Sequence, residues 1–109
     1  MQTALPVLPQ PRLDLAAPEV GRATAVAALL ADPIRAGIMR LLADGPHCVC
    51  EMAAALQVRE NNLSNHLARL RNGGLVRATR HAGNGRFLYY ERDDAATAAA
   101  LTALAELLR

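Results

Sequence analysis

The chain has 109 residues, of which 52% are apolar and only 3% aromatic, with a formal net charge of +2. That length fits one domain with a modest core, to which pairing with a second copy would add buried surface, and the abundance of alanine favours closely packed helices. The longest apolar runs are alanine-dominated and interrupted by Thr or Glu, and no basic stretch precedes an apolar N-terminal core, so neither a membrane span nor a leader is expected and the protein is expected to be soluble and cytoplasmic.

Residues 1–18 hold four prolines and no sustained period, so they read as a flexible or extended arm, and residues 19–109 as the folded domain. From about Glu19 to Ala31 a helix is expected, with Val20, Ala23, Val26, Ala27 and Leu30 on one stripe. Asp32 then caps a second helix whose first turn takes Pro33, where a missing N–H costs nothing. Ile34, Ile38, Leu41 and Leu42 give it a buried face, and Asp44-Gly45-Pro46 ends it.

Pro46-His47-Cys48-Val49-Cys50 is the most chemically loaded stretch. Residues two apart point to opposite sides of a helix but share a side in an extended segment, so Cys48 and Cys50 can act together only at a helix start. That position also lowers a thiol pKa and favours the metal-binding thiolate. In the cytoplasm both are expected to be reduced, and a disulfide between positions two apart is expected to be badly strained. Two readings stay open from the residues: a metal or redox site, with His47 as a further donor, or two small buried hydrophobes.

A short helix from about Cys50 follows, with Met52, Ala53 and Leu56 on one face, and Gln57 to Glu60 form a break. In the next helix Leu63, Leu67 and Leu70 repeat at i, i+4 and i+7, which leaves Asn61, Asn62, Ser64 and Asn65 on or near the opposite side. Amides and hydroxyls suit base edges, and Arg59, Arg69 and Arg71 suit phosphates. His66 reads as a packing or hydrogen-bonding residue. Asn72-Gly73-Gly74 stops the helix, and two strands follow around a turn at Ala82 to Gly85, carrying Arg80 and Arg86. His81, near the tip, either touches a DNA backbone or is solvated. Between Arg59 and Arg92 seven arginines face only Glu60 and Glu91, a local excess of five positive charges that attracts polyanions.

Asp93-Asp94 caps a last helix with Ala98, Leu101, Leu104, Ala105 and Leu108 on one stripe, expected to pack against another copy together with the first helix. The fold class is therefore mainly α with a two-stranded β-hairpin wing: a winged helix-turn-helix, dimeric through its first and last helices. Two such copies would place recognition helices one DNA turn apart on a palindromic double-stranded operator.

Ala31-Asp32-Pro33-Ile34-Arg35, Cys48-Val49-Cys50-Glu51, and Leu63-Ser64-Asn65-His66-Leu67 with Leu70-Arg71 and Gly74-Leu75-Val76 occur here in order and at fixed spacing. In this the chain resembles the ArsR/SmtB family of metal-responsive bacterial transcription regulators over about residues 20–109. The resemblance implies a repressor released from DNA by a metal or metalloid at Cys48 and Cys50, with zinc, nickel, cadmium or arsenite as effectors; activation stays open. Arsenic-type sensors often add a third cysteine where this chain has Ala53, and the family's last-helix site would fall on Asp94, Ala96 and Leu107, so that second site is not expected. In some relatives the arm supplies ligands, but here it offers only Met1 and Asp14. At the recognition helix the family commonly has a small polar cap followed by Gln, and this chain has Arg59-Glu60, which bears on the operator sequence. The competing readings are a redox-sensing or ligand-independent regulator of the same fold, and a small thiol enzyme. No cleft-sized set of acid, base and substrate-binding groups supports the last, so an enzyme is not expected.

Overall fold

The computed structural model describes residues 10–81 and 84–109, without the side chains of 81 and 84–87. Five helices and a small antiparallel sheet follow in the order α1 (Pro18–Leu30), α2 (Pro33–Leu41), a 3-10 turn (Leu42–Asp44), β1 (His47–Cys48), α3 (Val49–Leu56), α4 (Glu60–Asn72), β2 (Val76–His81), β3 (Asn84–Arg92) and α5 (Asp94–Leu108). Asp32 caps α2 as its sequence requires: Oδ1 accepts from the N–H groups of Ile34 at 2.8 Å and Arg35 at 3.4 Å. Burial works against its ionisation, but those two N–H donors, with the Arg35 guanidinium beside them, outweigh it and hold the carboxyl below its ordinary range.

The core is formed where α2, α3 and α4 meet, with Ile38, Met52, Leu63, Leu67 and Leu70 fully buried. The three leucines are the i, i+4, i+7 stripe of α4, so burying them fixes which side of that helix is left outside. Helix α4 ends in a Schellman motif: Leu75 N–H donates to the Leu70 carbonyl at 3.0 Å and Gly74 N–H to the Arg71 carbonyl at 2.9 Å. Gly74 takes φ +81°, which a side chain resists. At Gly73 a Cβ would run into the side chain of Leu29, so α1 and the end of α4 approach through a glycine.

The sheet has three strands in the order β1-β3-β2, one more than the expected hairpin. His47 pairs with Tyr90 and Cys48 with Tyr89, so the wing's second strand is bonded back to the residues that begin α3. A two-residue strand has no period to read, which is why the sequence did not reveal it. Strands β2 and β3 pair from Val76↔Arg92 to His81↔Asn84; the tip of the expected turn, at 82 and 83, lies outside the described residues, as does the side chain of Arg86.

Helix α1 departs from its expected stripe, whereas α5 leaves exposed most of the stripe expected to face another copy. On α1, Ala23 is buried and Leu29 packs on the core, whereas Ala27 faces outward. On α5 the inward residues are Ala100 and Ala103, with Ala96 packed on the core, whereas Ala98, Leu101, Ala105 and Leu108 are exposed. Alanine is small enough to let α1 and α5 approach closely, so α5 turns its alanine face to α1 and its leucine face outward. Among the described residues no helix is long and apolar enough to cross a membrane.

Candidate nucleic-acid interface and cysteine pair

Helix α4 presents Asn61, Asn62, Ser64, Asn65, Arg69 and Arg71 as exposed residues, with Arg59 exposed at its N-cap. They do not form one patch. Asn61, Asn62, Asn65 and Arg69 line a cleft of about 810 Å³ between α4 and the start of α2, together with His66, Asn72, Ile34 and Arg35. Ser64 and Arg71 are exposed away from that cleft, and Arg59 stands before the first turn. The cleft is thus walled on one side by amides and closed by a guanidinium, a donor-rich set suited to base edges and phosphates. Arg80 is exposed on β2.

The basic excess counted along the chain is smaller in space. Arg77 Nε donates to Glu91 Oε1 at 2.7 Å and Nη1 to Asp93 Oδ2 at 3.2 Å, a cross-strand pair that raises the Arg77 pKa through the Glu91 hydrogen bond and charge. Arg92 Nε lies 3.9 Å from Asp94 Oδ1. These two arginines face acids at the root of the wing, while Arg59, Arg69 and Arg71 are exposed on α4 and its N-cap.

Behind α4 sits a group the sequence reading missed. Arg35, 6% exposed, reaches the carbonyls of Ala28 and Leu29 and His66 Nδ1. An Arg in the first turn of a helix ordinarily faces water; here the apolar stripe rotates it inward, where only a full set of acceptors makes burial tolerable.

The cysteines are not the free pair expected. Cys48 and Cys50 are joined as a disulfide, with Cα atoms 5.4 Å apart. The expectation of two reduced thiols is corrected by local geometry: Cys48 is extended at φ −81°, ψ 166°, Cys50 lies in the first turn of α3, and this places their Cα atoms within ordinary bridging range. Cys48 is also the N-cap of α3, starting it one residue earlier than expected. Glu51 N–H donates to Cys48 Sγ at 3.4 Å, and Cys48 N–H donates to Glu51 Oε1 at 3.1 Å. This is a capping box with Cys in the serine role, and Cys48-x-x-Glu51 was its legible signal. His47 Nδ1 lies 3.3 Å from Glu51 Oε2, so the expected third donor turns to the carboxylate. The Cys48 N–H, then His47, hold Glu51 below its ordinary 4.5.

As arranged, these residues do not fit a metal ion. Both sulfurs are bonded to each other, and among the described residues no group of three or more His, Cys, Asp or Glu is placed to share an ion.

Three mutually packed helices with a polar-faced α4 and a β-hairpin beside it define a winged helix-turn-helix chain. Residues 32–78 match the family described as "Bacterial regulatory protein, arsR family". The arsenic resistance transcriptional regulator ArsR1 of Pseudomonas putida is 40% identical over 62 residues, 56% of this chain and 46% of its own. The uncharacterised HTH-type transcriptional regulator MJ1325 of Methanocaldococcus jannaschii is 41% identical over 64 residues, 58% of this chain and 70% of its own. Among solved structures, NolR from Sinorhizobium fredii superposes with a TM-score of 0.67 at 28% identity, covering 90% of this chain and 95% of that one. The chain spans about half the length of several curated relatives it matches. It belongs to the arsR family of bacterial regulatory proteins. The matched family and these relatives are regulators, not enzymes.

Proposed function

We propose that this chain is a sequence-specific DNA-binding transcription regulator, a repressor that acts as a homodimer and changes its operator affinity through the Cys48/Cys50 segment. The observation that carries the reading is α4 itself: Leu63, Leu67 and Leu70 are buried while Asn61, Asn62, Asn65 and Arg69 stand exposed along one cleft. Asn61, Asn62, Ser64 and Asn65 address base edges; Arg59, Arg69, Arg71, Arg80 and Arg86 neutralise phosphates. For the dimer, Leu101 at 66% and Leu108 at 80% exposure leave an apolar face on α5 that a second copy would cover.

The effector acts at Cys48 and Cys50. Opened to two thiols, with His47 alongside, the pair offers donors of the class taken by zinc, nickel, cadmium or arsenite, and the remaining ligands come from outside this segment. Because Cys48 caps α3 and pairs with β3, a change there moves the support of α4 and the wing together. A coupling of about 1–3 kcal/mol is enough for regulation. The disulfide favours a second reading, in which the oxidation state of the pair is itself the signal.

The test is a gel-shift titration on a duplex that the protein enriches from a randomised pool, with reduced and oxidised protein, each with zinc, nickel, cadmium and arsenite. The metal reading expects release only from the reduced protein on adding an ion. The redox reading expects a difference between reduced and oxidised protein without metal. Equal affinity in every arm removes both, and enrichment of no duplex removes DNA recognition.

A further inference from the structure

Arg35 is buried, and its guanidinium joins two elements. Nε donates to the Leu29 carbonyl at 2.7 Å and Nη2 to the Ala28 carbonyl at 3.1 Å, both in the last turn of α1, where carbonyls lack helical partners. Nη1 lies 3.1 Å from Nδ1 of His66 on α4. A guanidinium only donates, so Nδ1 must accept; the imidazole is then neutral and carries its proton on Nε2. A proton on Nδ1 would have to break this contact and turn to Asp32 Oδ1, 3.9 Å away and already accepting from the Ile34 and Arg35 N–H groups. Among the described residues Nε2–H has no protein partner, and His66 borders the cleft alongside Asn61, Asn65 and Arg69. Arg69 follows three positions later on the same face.

We infer that His66 is a DNA-backbone contact, giving its Nε2–H to a phosphate lodged in the cleft, and that Arg35 is its positioning residue, fixing ring and tautomer from the end of α1. The inference rests on the DNA-binding reading above. Arg69 supplies the charge for that phosphate and His66 a directed, uncharged donor. A sequence reading leaves His66 as a packing or hydrogen-bonding residue; only Arg35 behind the ring shows which nitrogen is spent and which is available.

Two measurements on the full chain test it. In ¹⁵N-histidine spectra at neutral pH, His66 shows an unprotonated Nδ1 and a protonated Nε2, and R35M turns this into a mixture of tautomers. A merely structural Arg35 would leave the ring signature unmoved in R35M. On a duplex enriched by the wild-type protein, H66F weakens binding roughly tenfold, the worth of one well-made hydrogen bond to a charged group. That loss vanishes on a duplex carrying a methylphosphonate at one backbone position, which separates a lost contact from a damaged fold. Unchanged binding by H66F, a loss that persists at every methylphosphonate position, or a proton on Nδ1 in the wild type overturns the inference. A wild-type protein that enriches no duplex instead overturns the DNA reading, and the phosphate contact with it, while the spectra still decide the role of Arg35.

Discussion

Helix α3 starts inside a closed ring of hydrogen bonds, in which Cys48 and Glu51 satisfy each other's backbone and His47 joins the carboxylate. Helix α4 starts on Arg59, whose side chain makes no capping bond, with Glu60 as the acid of its first turn. The first start is completed by the protein; the second leaves N–H groups and a guanidinium facing outward. The contrast separates a helix made to be held from one made to be met. It also explains why the departure at Arg59-Glu60 does not prevent α4 from forming: the Leu63, Leu67 and Leu70 stripe anchors it without help from a cap.

The largest effect that would sharpen this contrast comes from the buried side of α4. Leu67→Ala should cost about 2–5 kcal/mol of folding stability in urea unfolding, because a side chain at 1% exposure leaves a cavity. Asn65→Ala, two residues earlier and exposed, should change stability by less than about 0.5 kcal/mol, yet weaken binding to an enriched duplex by roughly 1–3 kcal/mol. Equal stability losses at the two positions would break the division of α4 into an anchored and a presented side.

Closing the open start is the next test. Arg59→Ser supplies the missing cap and should raise stability by about 1 kcal/mol. The same change should reduce the slope of log affinity against log salt by roughly 0.9 if Arg59 meets a phosphate. A gain in stability with an unchanged slope would leave Arg59 as solvated charge only.

The smallest effect concerns the closed start and is read in pH. The folded protein holds Glu51 below its ordinary 4.5, so its contribution is full above that value and is lost as pH falls through the depressed one. Glu51→Gln should therefore flatten the decline in melting temperature on the acid side of pH 4.5 and barely alter that decline's absence near neutrality. An acid limb identical in both proteins would remove the Glu51 ring from the stability of α3.

Much of this was legible in the chain. The leucine stripe of α4, the Asp32 cap before Pro33 and the glycine stop after Asn72 each have a single physical reading, and each forms as read. The outward stripe of α5 was legible too, but its inward one, Ala96, Ala100 and Ala103, was not, because a helix rich in alanine carries two stripes of similar apolarity and only contact with α1 decides which is buried. Arg35 was hidden for a different reason. Its burial depends on carbonyls from α1 and a ring from α4, partners 6 to 31 residues away, which no local pattern encodes. The bridge between Cys48 and Cys50 was argued against from the expected compartment and from sequence spacing, whereas the change from strand to helix between them sets the distance that matters.

The pairing of His47 and Cys48 with Tyr90 and Tyr89 makes two residues a shared hinge pin. If the chain regulates DNA through Cys48 as proposed, a single chemical event at that sulfur would reach the start of α3 and the base of the hairpin together, loosening both handholds on a duplex at once instead of one after the other.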